Sequence, residues 1–441
     1  MRAKFVTLSC VIFIFMALIT GCQKNPEKEV ITSKNDGAFD ANAIVSAEET
    51  HAPDATQTIQ HTEGFFSTDQ SVEIVMDLDS TVTGADMPVV EVEPHYLTEE
   101  EAKNAAYALL GDADFYEWQH YSDAVLSKSE ILEKINRWSQ FTSQDEIDNL
   151  YGQHMEDAVR VVKVFIDEYT KKLESASDSS NKVPCQWTFK KAPYYLFSAA
   201  DAANEDTSNE SDMLKATTTV NGAPFTFCVE TRNQDDYKVN YIRYYMDSDS
   251  PLGIDRTYFT AQLCRTEKPT EDQISAVKAK AKDVLEKLNL GQWQIDTCYV
   301  NETPYDNVTE YSIIVTAMPV LEGIAAIKQQ PVANLNDPNV YASNYQMPSV
   351  EFQYSPDGQL IFFLLQSPID STKVVNSNVK AMSMEELLDK AKNYFSLSTF
   401  SHYDTEGRLD ANSKDVTCLL NVNDVKYTLA RIRMPNTDAS Y

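Results

Sequence analysis

The stretch PTEDQISAVKAKAKDVLEKLNLGQWQIDTCYV (Pro269–Val300) decides how this chain folds. Thr270-Glu271-Asp272 follows a proline and opens a segment in which Ile274, Val277, Ala281, Val284, Leu285 and Leu288 recur three and four residues apart. That spacing gathers them on one stripe of an α-helix. Gly291 ends the helix, and Trp293 to Val300 then has strand composition. A helix apolar on one side must cover something flat, so a layered α+β arrangement is predicted.

The same alternation continues towards the C-terminus. Tyr311 to Ala317, Val350 to Tyr354 and Leu360 to Leu365 read as strands, and Ser355-Pro356-Asp357-Gly358 joins the last two as a tight turn. Met382-Ser383-Met384-Glu385-Glu386 opens another helix with Leu387, Leu388, Ala391 and Phe395 on one face. A hairpin of Val416 to Val422 and Val425 to Ile432, turned at Asn423-Asp424, closes the chain. The strand-like Lys426 to Arg433 has no following strand to pair with, which predicts that the sequence stops short of its relatives.

Towards the N-terminus, Trp187 to Phe189, Thr217 to Val220, Phe225 to Glu230, Tyr237 to Met246 and Thr257 to Leu263 read as strands. Asn221-Gly222 predicts a hairpin between the second and third of them. Asp201 to Asp212 holds five acids and no base and reads as a solvated loop. Before these lies a helical region. Ile131, Leu132, Ile135, Trp138 and Phe141 keep a helical period. Ser143-Gln144-Asp145-Glu146 has capping-box spacing, and the period from Ile147 to Leu173 predicts one helix of about 30 residues. Thr98-Glu99-Glu100-Glu101 caps a further helix whose face is Ala102, Ala105, Ala106, Leu109 and Leu110, ending at Gly111. Val72, Ile74 and Met76, then Val89 to Val92 after a turn at Gly84, read as strands.

The predicted fold class is therefore α+β: two lobes of antiparallel sheet covered by helices, with a helical insertion in the first lobe. The predicted segments are an export signal at 1–21 and a disordered acidic tether at 22–68. A first lobe follows at 69–265 with its insertion at about 127–175, and a second lobe at 266–441.

Arg2 and Lys4 precede an apolar run from Phe5 to Ile19, which ends in Leu18-Ile19-Thr20-Gly21-Cys22. A basic start, a short apolar stretch and a small residue at the cut describe a signal peptide. The Cys directly after Gly21 resembles the lipobox of bacterial lipoproteins. That resemblance implies cleavage between Gly21 and Cys22, a diacylglyceryl group on the Cys22 thiol and, often, an acyl group on its new amine. Two or more chains give stable anchoring where one does not. Removing residues 1–21 deletes two basic and no acidic residues and takes the formal charge from −30 to −32. Gln23 to Thr68 has three Lys, no Arg and eight acids, the composition of a tether. His51 and His61 are read as solvated within it.

The helix starts at Thr98, Thr270 and Ser383 resemble one another and recur among hairpins, a weak repetition of supersecondary units. The stretches Val72 to Gly111 and Val350 to Phe395 resemble PepSY-type repeats and the extracytoplasmic regulators of a cell-wall sensor kinase. The whole layout is similar to a Gram-positive lipoprotein family of unknown function. The kinase regulators carry a transmembrane anchor where this chain has a lipobox. The resemblance implies an extracytoplasmic, lipid-anchored protein with a membrane or cell-envelope protein partner. It supplies no catalytic residue.

With 37 Lys+Arg against 67 Asp+Glu, the chain is a poor match for nucleic acid or an anionic lipid surface. Its 12 Gly speak against Gly-rich phosphate loops. Asp77-Leu78-Asp79-Ser80-Thr81 resembles the nucleophile motif of haloacid-dehalogenase-type phosphatases, but Glu73 interrupts the strand before it. Cys185, Cys228, Cys264, Cys298 and Cys418 show no C-x-x-C spacing and read as buried apolar residues, with one disulfide open. His154 and Asp157 stand three apart as a possible metal edge without a second His. Asp247-Ser248-Asp249 begins like a calcium loop, but Pro251 and Leu252 fall where a ligand and a Gly belong. No metal, no cofactor and no catalytic residue is expected. The remaining binding feature is Tyr237, Val239, Tyr241, Arg243 and Tyr245, which alternate onto one strand face. Aromatic rings there suit sugar stacking and Arg243 suits a carboxylate, while the same stripe also suits core packing. The expected function is a lipoprotein acting by binding or regulation; the alternative is a surface solute- or glycan-binding lipoprotein.

Overall fold

The computed structural model describes residues 34–35, 38–39, 57–66, 72–82, 88–119, 126–179, 182–193, 210–231, 240–247, 251–327, 348–377, 384–397 and 416–422. In chain order, β1 (Lys34–Asn35), β2 (Ala38–Phe39), β3 (Gln57–Phe66), β4 (Val72–Val82) and β5 (Val89–Pro94) precede α1 (Glu99–Leu110). Next come β6 (Tyr116–Glu117), α2 (Lys128–Trp138), α3 (Gln144–Tyr151) and α4 (Ala158–Ser175). They lead to β7 (Lys190–Pro193), β8 (Glu210–Val220), β9 (Ala223–Thr231), β10 (Asn240–Met246), α5 (Ile254–Cys264) and α6 (Glu271–Leu288). The rest is β11 (Trp293–Pro304), β12 (Thr309–Leu321), β13 (Ile324–Ala325), β14 (Ser349–Tyr354), β15 (Leu360–Gln366), β16 (Ile369–Asn376), α7 (Met384–Leu397) and β17 (Val416–Val422). Helices on largely antiparallel sheets make this an α+β fold.

The contacts divide the chain into one unit of Met1–Glu93, Leu321–Ile324 and Ser371–Tyr441 and a second of Pro94–Val320 and Ala325–Asp370. This corrects the boundary predicted at 265/266. Strands from both predicted lobes share one ten-stranded sheet, in the order β11-β12-β14-β15-β10-β9-β8-β6, with β13 on β12 and β7 on β8. The join is the antiparallel pairing of β10 with β15, Tyr241 opposite Gln366 through Tyr245 opposite Phe362. The stretches Val72 to Gly111 and Val350 to Phe395 are likewise each divided between the two units.

In the second unit one face of that sheet carries the main core. Leu214, Phe225, Phe227, Ile242, Tyr244, Val315, Phe352 and Phe363 meet the apolar stripes of α1, α5 and α6 there. Phe225 and Tyr244 stack with centroids 4.7 Å apart. The helices begin where predicted because their caps are complete: Thr98 with Glu101, Ser143 with Glu146, and Thr270 with Gln273 each form a reciprocal capping box. The Asn221-Gly222 turn closes the β8–β9 hairpin with both residues at positive φ, 52° and 82°, as a primed turn requires.

Three predicted elements are corrected. Thr257 to Leu263 is helical, within α5, despite its β-branched and aromatic residues; Gly253 in the left-handed region starts it, and Phe259 and Cys264 are buried. The single long helix is two, because Gly152 (φ 72°) caps α3 and Asp157 (φ 61°) precedes α4. Strand β7 takes up Lys190–Pro193 rather than Trp187 to Phe189, and Trp187 has φ 55°. The helical insertion has its own core of Ile131, Trp138, Ile147, Val162 and Tyr169, to which Ile254 of α5 is added.

The first unit holds a three-stranded sheet, β17-β4-β3, over α7. Strand β3 pairs antiparallel with β4 along its whole length, Gln57 opposite Val82 through Phe66 opposite Glu73. The tether predicted for 22–68 is therefore corrected: from Gln57 the chain is sheet, with Phe65 buried and His61 half-buried beside Glu63. The signal was hidden because Thr58 and Thr62 support a strand by β-branching without alternating apolar residues. Strand β17 runs parallel to β4. Its predicted hairpin partner, Val425 to Ile432, lies outside the described residues, as do Gly21, Cys22 and His51.

Candidate functional site

The face of the ten-stranded sheet turned away from the helices carries the best candidate site. Ile242, Tyr244 and Met246 point into the core, so period-two geometry sends Tyr241, Arg243 and Tyr245 to the other side, where all three are half-buried. The stripe is therefore not core packing against the helices. Tyr237 and Val239 lie outside the described residues.

Register assembles the neighbours. Across β9, Glu230 stands opposite Tyr241, Cys228 opposite Arg243 and Thr226 opposite Tyr245. Across β15, Gln366, Leu364 and Phe362 stand opposite the same three residues. Beyond β9, Lys215 of β8 faces Cys228, and its ammonium lies 4.6 Å from the Trp118 ring centre. Tyr241 donates its hydroxyl to Glu230 Oε2 at 2.5 Å. The Arg243 guanidinium lies over Tyr245 at 4.7 Å and Phe362 at 5.6 Å. Among the described residues it has no carboxylate within ion-pair reach.

Among the described residues, three shielded polar atoms on this face have no hydrogen-bond partner: Glu230 Oε1, Arg243 Nε and Thr226 Oγ1. Glu230 is 3 % exposed and Thr226 0 %. Thr218, Tyr244, Tyr354 and Gln359 carry four more such atoms off this patch, so shielding without a partner is not confined to it. Burial pushes the Tyr241 hydroxyl far above its ordinary range, reinforced by Cys228 and Glu230, so it stays a donor. Burial pushes the Cys228 thiol up to about 11, which makes it a poor nucleophile at neutral pH.

Asp77 and Asp79 sit on the exposed side within β4, where Thr62 donates to Asp77 at 2.9 Å and Gln60 to Asp79 at 3.3 Å. His154 pairs with Asp148 at 2.8 Å, while Asp157 faces Arg160 at 3.7 Å. Cys185, Cys228, Cys264 and Cys298 are free thiols. Among the described residues no group of three or more His, Cys, Asp or Glu is arranged to hold a metal, and no helix is long and apolar enough to cross a membrane. A cavity of about 290 Å³ lies between the helical insertion and the edge of the sheet. Its cations are already paired, Lys134 and Arg137 with Asp255 and Lys182 with Glu130.

Sequence reasoning missed Glu230, Thr226, Cys228 and Phe362. The first three alternate along Phe225 to Glu230 and were readable from the hairpin turn; Phe362 had no local signal. No family model, curated protein or solved structure matches the chain.

Proposed function

We propose that this chain is a lipid-anchored extracytoplasmic protein of a bacterial envelope, held by Cys22, that acts by binding through the Tyr241, Arg243 and Tyr245 face. The anchor rests on Arg2, Lys4, the apolar run from Phe5 to Ile19 and the Gly21-Cys22 junction. The observation that carries the binding reading is the half-buried stripe of Tyr241, Arg243 and Tyr245 on the face away from the main core, with the Arg243 guanidinium over Tyr245 and Phe362. A patch of this kind beside aromatic walls is suited to an orienting ligand. A membrane or cell-envelope protein remains the partner class to which a bound ligand would be reported.

Two experiments on the full-length protein in cells test this. Metabolic labelling with an alkyne fatty acid should mark the wild type and leave Cys22→Ala unlabelled and unprocessed; equal labelling overturns the anchor. A photo-crosslinking residue in place of Tyr245 should capture an adduct that an equivalent residue at the exposed Tyr394 does not. Identical products at both positions overturn the binding face.

A further inference from the structure

Beyond the Tyr241, Arg243 and Tyr245 face, we infer that the start of β11 is a docking edge. There a partner protein adds a short extended segment with an acidic and an apolar side chain two residues apart. Strand β11 ends the ten-stranded sheet: β12 lies along one side of it, and among the described residues no strand lies along the other. Gln292 O accepts from Val320 N across that pair. Alternation in an antiparallel ladder therefore turns the backbone N–H and C=O groups of Trp293 and Ile295 to the open side. Such groups are a template for a further strand.

A cleft of about 580 Å³ opens at this place, walled by Lys278, Lys282 and Leu285 of α6 and by Trp293, Ile295 and Val320. Gln292 and Gln294 reach it as well. Consecutive strand residues point to opposite faces, so a cleft that touches four in a row lies against the strand's edge. The rest of the edge is blunted: the register shifts at a bulge between Ile295 and Thr297, Pro304 has no N–H to offer, and Lys268 meets Glu302. Pairing is thereby confined to the stretch beside the cleft.

Charge and position select the occupant. On α6, Lys280 donates to Gly358 O and Lys287 pairs with Asp283, but among the described residues no carboxylate lies within ion-pair reach of Lys278 or Lys282. The chain reverses at Gly291, so α6 runs back along β11, and Lys278 is close enough to Cys298 for its charge to act on the thiol. Leu285 and Trp293 thus stand at the start of the strand and the two exposed lysines further along it. Side chains two apart on an added strand share a face. An apolar one against Leu285 and Trp293 therefore places an acidic one beside the lysines, away from Glu286, the single acid of the cleft. A second copy of this chain is a poor occupant, because its formal charge of −30 repels its like.

The test is selection of a phage-displayed library of random heptapeptides on the full-length protein in detergent. Enriched peptides should hold Asp or Glu two positions from an apolar residue. A synthetic copy of the best should bind about tenfold more weakly to the double variant Lys278→Glu, Lys282→Glu, in which both changes fall at exposed positions. The same peptide with alternate backbone amides N-methylated should lose binding to the wild type. Enriched peptides without an acid overturn the docking edge. So does binding that the charge reversal or the N-methylation leaves undiminished, or a library with no enrichment over empty detergent micelles. Sedimentation of the protein alone supplies the last outcome: a dimer that the double variant dissociates makes the occupant a second copy and overturns the partner assignment.

Discussion

The Arg137 guanidinium donates to the carboxylate of Asp255 at 2.7 Å, joining the end of α2 to the first turn of α5. Asp255 is 2 % exposed and also accepts from Lys134 at 2.9 Å and from the Trp138 indole at 3.0 Å. The guanidinium stacks over Phe259 at 4.6 Å. This cluster fixes the helical insertion to the helix that covers the main sheet.

Removing the Asp255 charge should therefore cost more than the bonds it makes. Asp255→Asn leaves Lys134 without this counter-charge and Arg137 with only the exposed Glu133, 3.1 Å away, and a loss of about 3–5 kcal/mol is expected from breaking a buried pair on one side. Urea denaturation followed by Trp fluorescence checks this; a loss under 1 kcal/mol, by the same reasoning, would place the pair in the weak surface class. Burial opposes ionisation of Asp255, but Lys134 and Arg137 override it and hold its carboxyl below the usual range. A depressed carboxylate stabilises above its unfolded pKa, near 4, and loses that contribution as pH falls through the folded value. Wild type should lose stability in this acid window, and Asp255→Asn should lose less.

His95 makes the opposite prediction. Its Nε2 meets Glu101 Oε1 and its Nδ1 meets Asp370 Oδ2, both at 2.9 Å, so only the imidazolium satisfies both carboxylates. Burial works against the charge, but the Asp370 hydrogen bond and the charges of Glu101 and Asp370 outweigh it and raise the pKa. A raised His stabilises fully below its unfolded value, near 6.5, and that stability is lost as pH rises through the folded pKa. Melting temperatures across that range should fall more steeply for wild type than for His95→Gln. Parallel curves would remove His95 from the account.

Gly152 should not tolerate a side chain. It has φ 72°, and a Cβ there would lie 2.7 Å from Tyr305 Cβ and 3.0 Å from Val308 Cγ2. Gly152→Ala combines left-handed strain with a collision against a packed hairpin, for a cost of about 1–3 kcal/mol. An unchanged denaturation midpoint would show that the turn relaxes freely.

Neighbouring tyrosines should behave differently. Tyr244 is fully buried in a stack with Phe225, and Tyr244→Ala should cost about 3–5 kcal/mol, as large aromatic truncations in cores do. Tyr245→Ala, on the half-buried face, should cost much less and instead alter what the protein captures. Equal losses at both positions would contradict the assignment of the two faces.

Much of the architecture was legible from local signals. Capping boxes at Thr98, Ser143 and Thr270, the apolar stripe from Ile274 to Leu288 and the Asn221-Gly222 turn depend on residues a few positions apart; each box starts a helix, the stripe is buried, and the turn closes its hairpin. Local signals also misled. Thr257-Tyr258-Phe259-Thr260 has strand composition yet is helical, because Gly253 begins a helix there and burial of Phe259 and Cys264 holds it. The long helical period between α3 and α4 concealed the left-handed breaks at Gly152 and Asp157.

The amino-acid sequence by itself determined the α+β class, the helix starts, the hairpin turn and the alternation that puts Tyr241, Arg243 and Tyr245 together. Each follows from helix and strand periods and from side chains that satisfy backbone groups nearby. Only the tertiary structure decided that β10 pairs with β15, that β4 pairs with both β3 and a parallel β17, and that Tyr244 rather than Tyr245 enters the core. A strand's period states which residues share a face. Which face is buried, and which distant strand lies alongside, depends on the free energy of packing segments far apart in the chain, and no local pattern encodes it.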